Sequence, residues 1–74
     1  MYTQIDEAVF EAKMAAILKR FPAHVQARAA CASQNAEQSL IQCDGYTAQQ
    51  AAYDFSQEYL DYFAMSLEGF EETL

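Results

Sequence analysis

The chain has 74 residues, a net charge of −7 and an isoelectric point near 4.2, and 53% of its residues are hydrophobic. This length predicts one helical domain, residues 1–74, whose small core would gain stability from self-association or from a partner protein. The acidic balance argues against direct binding to nucleic acid or to an anionic membrane, and the high apolar content argues against disorder.

The spacing of apolar residues predicts an all-α fold. We expect a small three-helix bundle or a helical hairpin-type domain with a long C-terminal amphipathic helix, and dimerisation is a further option. The predicted helices cover about residues 3–21, 23–43 and 48–72, and short turns join them into an antiparallel arrangement.

The first helix carries two neighbouring apolar rows. Thr3 is its expected N-cap, and its end is set by Pro22, which disfavours a helical residue before it. Two rows are more than one contact needs, so one row is expected to face the domain and the other a second subunit. The row assigned to self-association consists of Phe10, Met14, Ile17 and Phe21.

The second helix has a seam of mostly small residues. The seam comprises Val25, Ala29, Ala32, Ala36, Leu40 and Cys43. Because this strip fills little volume, we expect the aromatic side chains of the last helix to pack over it. One continuous helix is favoured over a break near Asn35. Cys31 and Cys43 would lie about 18 Å apart along it, too far for a disulfide, and are interpreted as buried, reduced thiols.

The last helix is expected to follow a stop at Gly45 and a capping box formed by Thr47 and Gln50. It is expected to fray near Gly69. Its apolar seam recurs at alternating three- and four-residue steps, with Ser56 occupying one gap. The seam comprises Tyr53, Leu60, Phe63, Leu67, Phe70 and Leu74.

An acidic row lies on the opposite face of this helix. It consists of Asp54, Glu58, Asp61, Glu68 and Glu72, is interrupted by Met65, and is flanked by Tyr59 and Tyr62. Its carboxylates rise about 5 Å per step, comparable to the charge spacing of a phosphodiester strand, over about 27 Å in all. The chain has no Lys or Arg after Arg28. Segregation of charge to this degree calls for an explanation beyond solubility, although a solvated outer face is the ordinary one.

Other chemistry is sparse in the sequence. His24 is the only histidine, and no catalytic set, phosphate-binding loop or metal-ligand spacing is present, so we expect neither an enzyme nor a protein with a cofactor or a metal. The first residues lack a signal-peptide pattern, and no apolar run reaches membrane-spanning length. A cytoplasmic location is expected, in the host cytoplasm if a phage encodes the protein.

The leading hypothesis is an inhibitor that blocks a nucleic-acid-binding protein through the acidic row, acting as a DNA mimic. In size and charge alone, the chain is similar to the small acidic inhibitors of phages and mobile elements, such as anti-CRISPR and anti-restriction proteins. The expected partner is a protein with a basic surface. The alternatives are a homodimeric structural or adaptor protein that binds through apolar surface, and an antitoxin or immunity-type protein.

Overall fold

A computed structural model describes residues 5–53 and 55–72 of the chain. The elements in this part are helices: α1 (Glu7–Lys19), α2 (Ala23–Gln26), α3 (Ala29–Asp44), α4 (Ala48–Tyr53) and α5 (Gln57–Glu72). The all-α prediction is confirmed, and the long C-terminal helix packs against the others.

Helix α1 begins later than predicted. Its N-cap is Asp6, whose Oδ1 accepts a hydrogen bond from the Ala8 amide at 3.0 Å. Thr3, the predicted cap, lies outside the described residues. Glu7 in the first turn and Lys19 in the last both suit the helix dipole, and the chain leaves the helix before Pro22 as expected.

The predicted second helix is divided in two, so the expectation of one continuous helix is wrong. The break falls at Ala27 and Arg28, between α2 and α3, and Asn35 lies inside α3. Arg28 leaves helical geometry at φ −97° and ψ 14°, and its guanidinium lies 5.3 Å from the centre of the Phe70 ring. A tertiary contact that local spacing does not reveal therefore accompanies the break.

The predicted third helix is also divided, into α4 and α5, and Ser56 lies directly before the second of these. Ser56 is completely buried, and its Oγ accepts a hydrogen bond from the Tyr59 amide at 3.2 Å. The carbonyl of Phe55 accepts the Ile5 amide at 2.8 Å, which ties this segment to the start of the chain. Ser56 is thus the N-cap of α5. The sequence pattern had instead predicted a position inside the apolar seam of one longer helix.

The turn between α3 and α4 forms as predicted. Gly45 adopts a left-handed conformation with φ 74°, and the Tyr46 amide donates to the Leu40 carbonyl at 3.0 Å. The capping box is reciprocal: the Thr47 amide donates to Gln50 Oε1 at 2.9 Å, and the Gln50 amide donates to Thr47 Oγ1 at 3.1 Å. At the other end of the chain, α5 continues past Gly69 to Glu72, so the expected fraying there is wrong.

The centre of the fold is the contact between α3 and α5, the most extensive between any two helices. The two helices are antiparallel, since Asp44 bonds Tyr62 near one end and Arg28 lies over Phe70 near the other. Small side chains of α3 and large side chains of α5 are buried in one core, and the large ones include leucines as well as the aromatic rings that were predicted. The completely or almost completely buried residues here are Ala32, Ala36, Leu40, Leu60, Phe63 and Leu67.

The interpretation of the cysteines as buried is wrong. Cys31 and Cys43 are both exposed. Cys31 precedes the buried Ala32 by one residue and therefore points away from the seam. Cys43 continues the seam only in the last turn of α3.

Helix α1 turns its aromatic row toward the core, which reverses the predicted assignment. Phe10 is 7% exposed and Phe21 is 6% exposed. The Phe10 ring centre lies 4.9 Å from that of Phe55 and 5.5 Å from that of Tyr59. Met14 and Ile17 are half-buried against the same core. The row assigned to self-association is therefore largely used inside the domain.

In the described ranges, no helix is both long and apolar enough to cross a membrane.

Candidate protein-binding face

The acidic row lies on the outer face of α5. Asp61, Glu68 and Glu72 are exposed, and Glu58 is half-buried. Asp54 lies outside the described residues. Because α5 begins only after Ser56, the row on this helix runs from Glu58 to Glu72, about 21 Å at 1.5 Å per residue, and not the 27 Å expected for one continuous helix.

One member of the row is held in place by neighbouring polar groups. The Gln57 side chain donates from Nε2 to Asp61 Oδ1 at 3.0 Å. Gln57 in turn accepts from Lys13 Nζ through Oε1 at 3.3 Å. Asp61 is therefore oriented by a bonded chain that reaches α1, whereas Glu68 and Glu72 project from the last turns of α5.

Met65 lies in the middle of the row and is 62% exposed. It follows Asp61 by four residues and precedes Glu68 by three, so one acidic side chain lies a turn away on either side. A large apolar side chain exposed between carboxylates gives this face a contact that can be desolvated as well as a charge.

The position of the acids on α5 works against the helix dipole. Glu68, Glu71 and Glu72 lie near the C-terminal end, where the last turn contains no basic residue. An anion placed there costs about 0.3–1 kcal/mol, and the like-charge pair Glu68 and Glu72, four residues apart, costs a further 0.2–0.5 kcal/mol or so. Local stability therefore does not explain this placement.

Of the two tyrosines predicted to flank the row, Tyr59 is not a surface anchor. It is only 8% exposed, and its ring stacks on Phe63 with 6.3 Å between centres. Burial raises the pKa of its phenol above the ordinary 10.0; a hydrogen bond with Ser33 opposes the rise and the charge of Glu37 adds to it. The four-residue spacing from Tyr59 to Phe63 was the signal in the sequence that placed this ring on the core side.

Tyr62 remains beside the row. It is half-buried, and its hydroxyl donates to Asp44 Oδ1 at 2.9 Å. That hydrogen bond, made by the neutral phenol to a carboxylate, is the main reason why its pKa is raised above 10.0. Tyr62 therefore connects α5 to the end of α3 and borders the acidic face.

The basic residues lie elsewhere. Lys13 and Lys19 are on α1, Arg20 is its C-cap and Arg28 precedes α3. The guanidinium of Arg20 lies 5.8 Å from the centre of the Phe21 ring. Lys13 and Arg20 lie on the side of α5 where Asp61 is, and the guanidinium of Arg28 lies over Phe70 near the C-terminal end of α5.

His24 is exposed on the single turn of α2. In the described part of the chain, no cluster of three or more His, Cys, Asp or Glu side chains could hold a metal ion. The candidate site is the charged outer face of α5.

Comparison of the chain with models of protein families, with curated proteins and with solved structures gives no match.

Proposed function

We propose that the protein is a small inhibitor that binds another protein and covers its cationic, nucleic-acid-binding surface with the acidic row of α5. The observation that carries this proposal is the outward placement of Asp61, Glu68 and Glu72 around the exposed Met65. The mechanism is steric and electrostatic blockade, with no catalytic step. Anti-CRISPR and anti-restriction proteins act on targets of this kind, in the cytoplasm of an infected host.

The acids of α5 oppose the stability of their own helix. Acids near the C-terminal end of α5 are unfavourable for the helix dipole, and its last turn contains no basic residue of its own; the guanidinium of Arg28, over the Phe70 ring, is a cation brought near this end from another part of the chain. An arrangement that opposes stability is understandable when the same charges contribute to binding. Carboxylates on an exposed face speed the approach to a basic surface, and a central apolar side chain strengthens the final complex.

The two alternatives would use different surfaces of the protein. A homodimeric adaptor was expected to use Phe10 and Phe21, and both are in the core. An antitoxin or immunity-type protein would bind a basic toxin through the same acidic face. It would differ from the proposed inhibitor only in its target.

The test compares two variants with the same change of charge. Glu68→Gln/Glu72→Gln neutralises two exposed acids of the row, four residues apart. Glu7→Gln/Glu11→Gln neutralises two exposed acids on α1 with the same spacing. Tagged forms of both variants and of the unchanged protein are used to capture partners from nuclease-treated bacterial lysate, with washes at low and high salt and with added duplex DNA.

We expect a nucleic-acid-binding protein to be retained by the unchanged protein and by the α1 variant but lost by the α5 variant. Retention should fall at high salt, which screens exposed charges, and DNA should displace the partner. Equal retention by both variants, or a complex that DNA and salt leave intact, would show that the acidic row is a solubilising face.

A further inference from the structure

A groove of about 370 Å³ runs between α1 and α5. Its lining combines an apolar floor with charged side chains, chiefly Lys13, Ile17, Arg20, Leu60, Asp61 and Ala64. The volume is at the lower end of the range of about 300–1,000 Å³ that is usual for small-molecule sites.

The groove is open because both helices present small residues to it. Ala16 on α1 and Ala64 on α5 line it, and neither side chain extends far enough to fill the space. Beneath them Leu60 is fully buried and Ile17 is half-buried, so the floor is apolar and supported by the core.

Two of the four basic residues of the chain line this groove. Lys13 and Arg20 are seven residues apart, about 10 Å along α1. At one end of the groove the Lys13 ammonium donates to Gln57, and Gln57 donates to Asp61. The charge of Lys13 is therefore already part of a hydrogen-bonded network that contains a carboxylate. At the other end Arg20 lines the groove, and its guanidinium lies 5.8 Å from the centre of the Phe21 ring. A guanidinium binds a carboxylate through two parallel hydrogen bonds.

We propose that the groove binds an amphipathic monocarboxylate, with the carboxylate at Arg20 and the hydrocarbon part over Ile17, Leu60 and Ala64. One negative charge is matched by the one guanidinium at this end, whereas each further negative charge would add to the repulsion from Asp61 and from the net charge of −7. An apolar tail suits the floor, since it replaces water there.

This site does not rest on the proposed function. The groove is on the flank of α5 that faces α1 and shares Asp61 with the acidic row, whereas Glu68, Glu72 and Met65 do not line it. Either proposal can fail while the other holds.

The test uses decanoate as the probe, titrated into the isotope-labelled full chain below the concentration at which decanoate aggregates. Amide NMR spectra report which residues respond. Decan-1-ol and decyltrimethylammonium serve as probes with the same tail and a neutral or a cationic head. We expect saturable shifts confined to α1 and the first half of α5, with decanoate binding tightest and the cation weakest.

Three variants locate the carboxylate and the tail. Arg20→Gln should weaken decanoate binding about tenfold, because a hydrogen bond to a charged group is lost, and should leave decan-1-ol unaffected. Arg28→Gln is the matched control, since Arg28 lies over Phe70 and does not line the groove. Ala16→Leu places a larger side chain in the groove from an exposed position and should abolish binding of both probes.

Shifts that fail to saturate or that spread over the whole surface would overturn the proposal. So would equal binding of the cationic probe, or equal weakening by the Arg20 and Arg28 variants.

Discussion

The substitution Ser56→Ala distinguishes two descriptions of the last part of the chain: two helices with Ser56 as the N-cap of α5, or one continuous helix. In the fold, Ser56 Oγ caps α5 by accepting the Tyr59 amide at 3.2 Å, and the residue is completely buried. In a continuous helix from residue 48 to residue 72, the same serine would be an interior residue. The two accounts give Ser56→Ala opposite signs.

The structure predicts a loss of stability. Replacing a serine N-cap by alanine costs about 0.5–2 kcal/mol. Because Ser56 is completely buried, no water replaces the hydroxyl, and the cost should lie in the upper half of that range, about 1.3–2 kcal/mol. For a domain of this size each kcal/mol lowers the melting temperature by about 4–8 °C. A continuous helix predicts instead a gain of less than about 0.7 kcal/mol, because alanine is the better helix former.

Urea denaturation followed by far-UV circular dichroism measures the difference as a shift of the transition midpoint. Ser39→Ala is the matched control, since Ser39 is half-buried in the interior of α3, well beyond its first turn, and should show only the small gain from helix propensity. A midpoint for Ser56→Ala equal to or above that of the unchanged protein would refute the assignment of Ser56 as a cap.

Two further predictions concern the two glycines and Tyr62. Gly45→Ala should destabilise the fold by about 1–2 kcal/mol because φ is +74° there, whereas Gly69→Ala in the interior of α5 should stabilise it by up to about 1 kcal/mol. A Cβ would meet nothing within 4 Å at either position, so urea denaturation of the two variants compares backbone effects alone. Changes in stability of the same sign would contradict the assigned conformations. Because the pKa of Tyr62 is raised in the folded state, its contribution is present below the unfolded value near 10.0 and is lost as the pH rises through the folded pKa. Tyr62→Phe should therefore be less stable than the unchanged protein at neutral pH, and the difference should vanish in alkaline urea titrations; a difference that persists there would exclude the bond to Asp44 as its source.

Local signals in the sequence predicted the parts of the fold that depend on local chemistry. The stop at Gly45, the box of Thr47 with Gln50 and the alanine strip on α3 follow from nearest neighbours and from helical spacing. The division of α2 from α3 and of α4 from α5 could not be predicted in this way. Each break accompanies a distant contact, Arg28 with Phe70 in one case and Ile5 with Phe55 in the other.

The sequence predicted only part of the candidate face, because the burial of some residues depends on contacts between helices. A helical wheel identifies the charged side of α5, and Asp61, Glu68 and Glu72 are indeed exposed there. It does not say which side of α1 faces the core, because both of its rows are apolar. It also placed Tyr59 at the border of the charged side, where burial depended on the arrival of Phe10 from another helix.

The sides of α5 can therefore be altered separately. The side buried against α3 contains Phe63 and Leu67 and supplies much of the stability. The outer side contains acids whose removal should leave the fold intact or slightly more stable, because their repulsion and their conflict with the dipole disappear. A loss of binding in the Glu68→Gln/Glu72→Gln variant would thus be a loss of recognition and not of structure, and its unfolding midpoint, equal to or above that of the unchanged protein, provides the check.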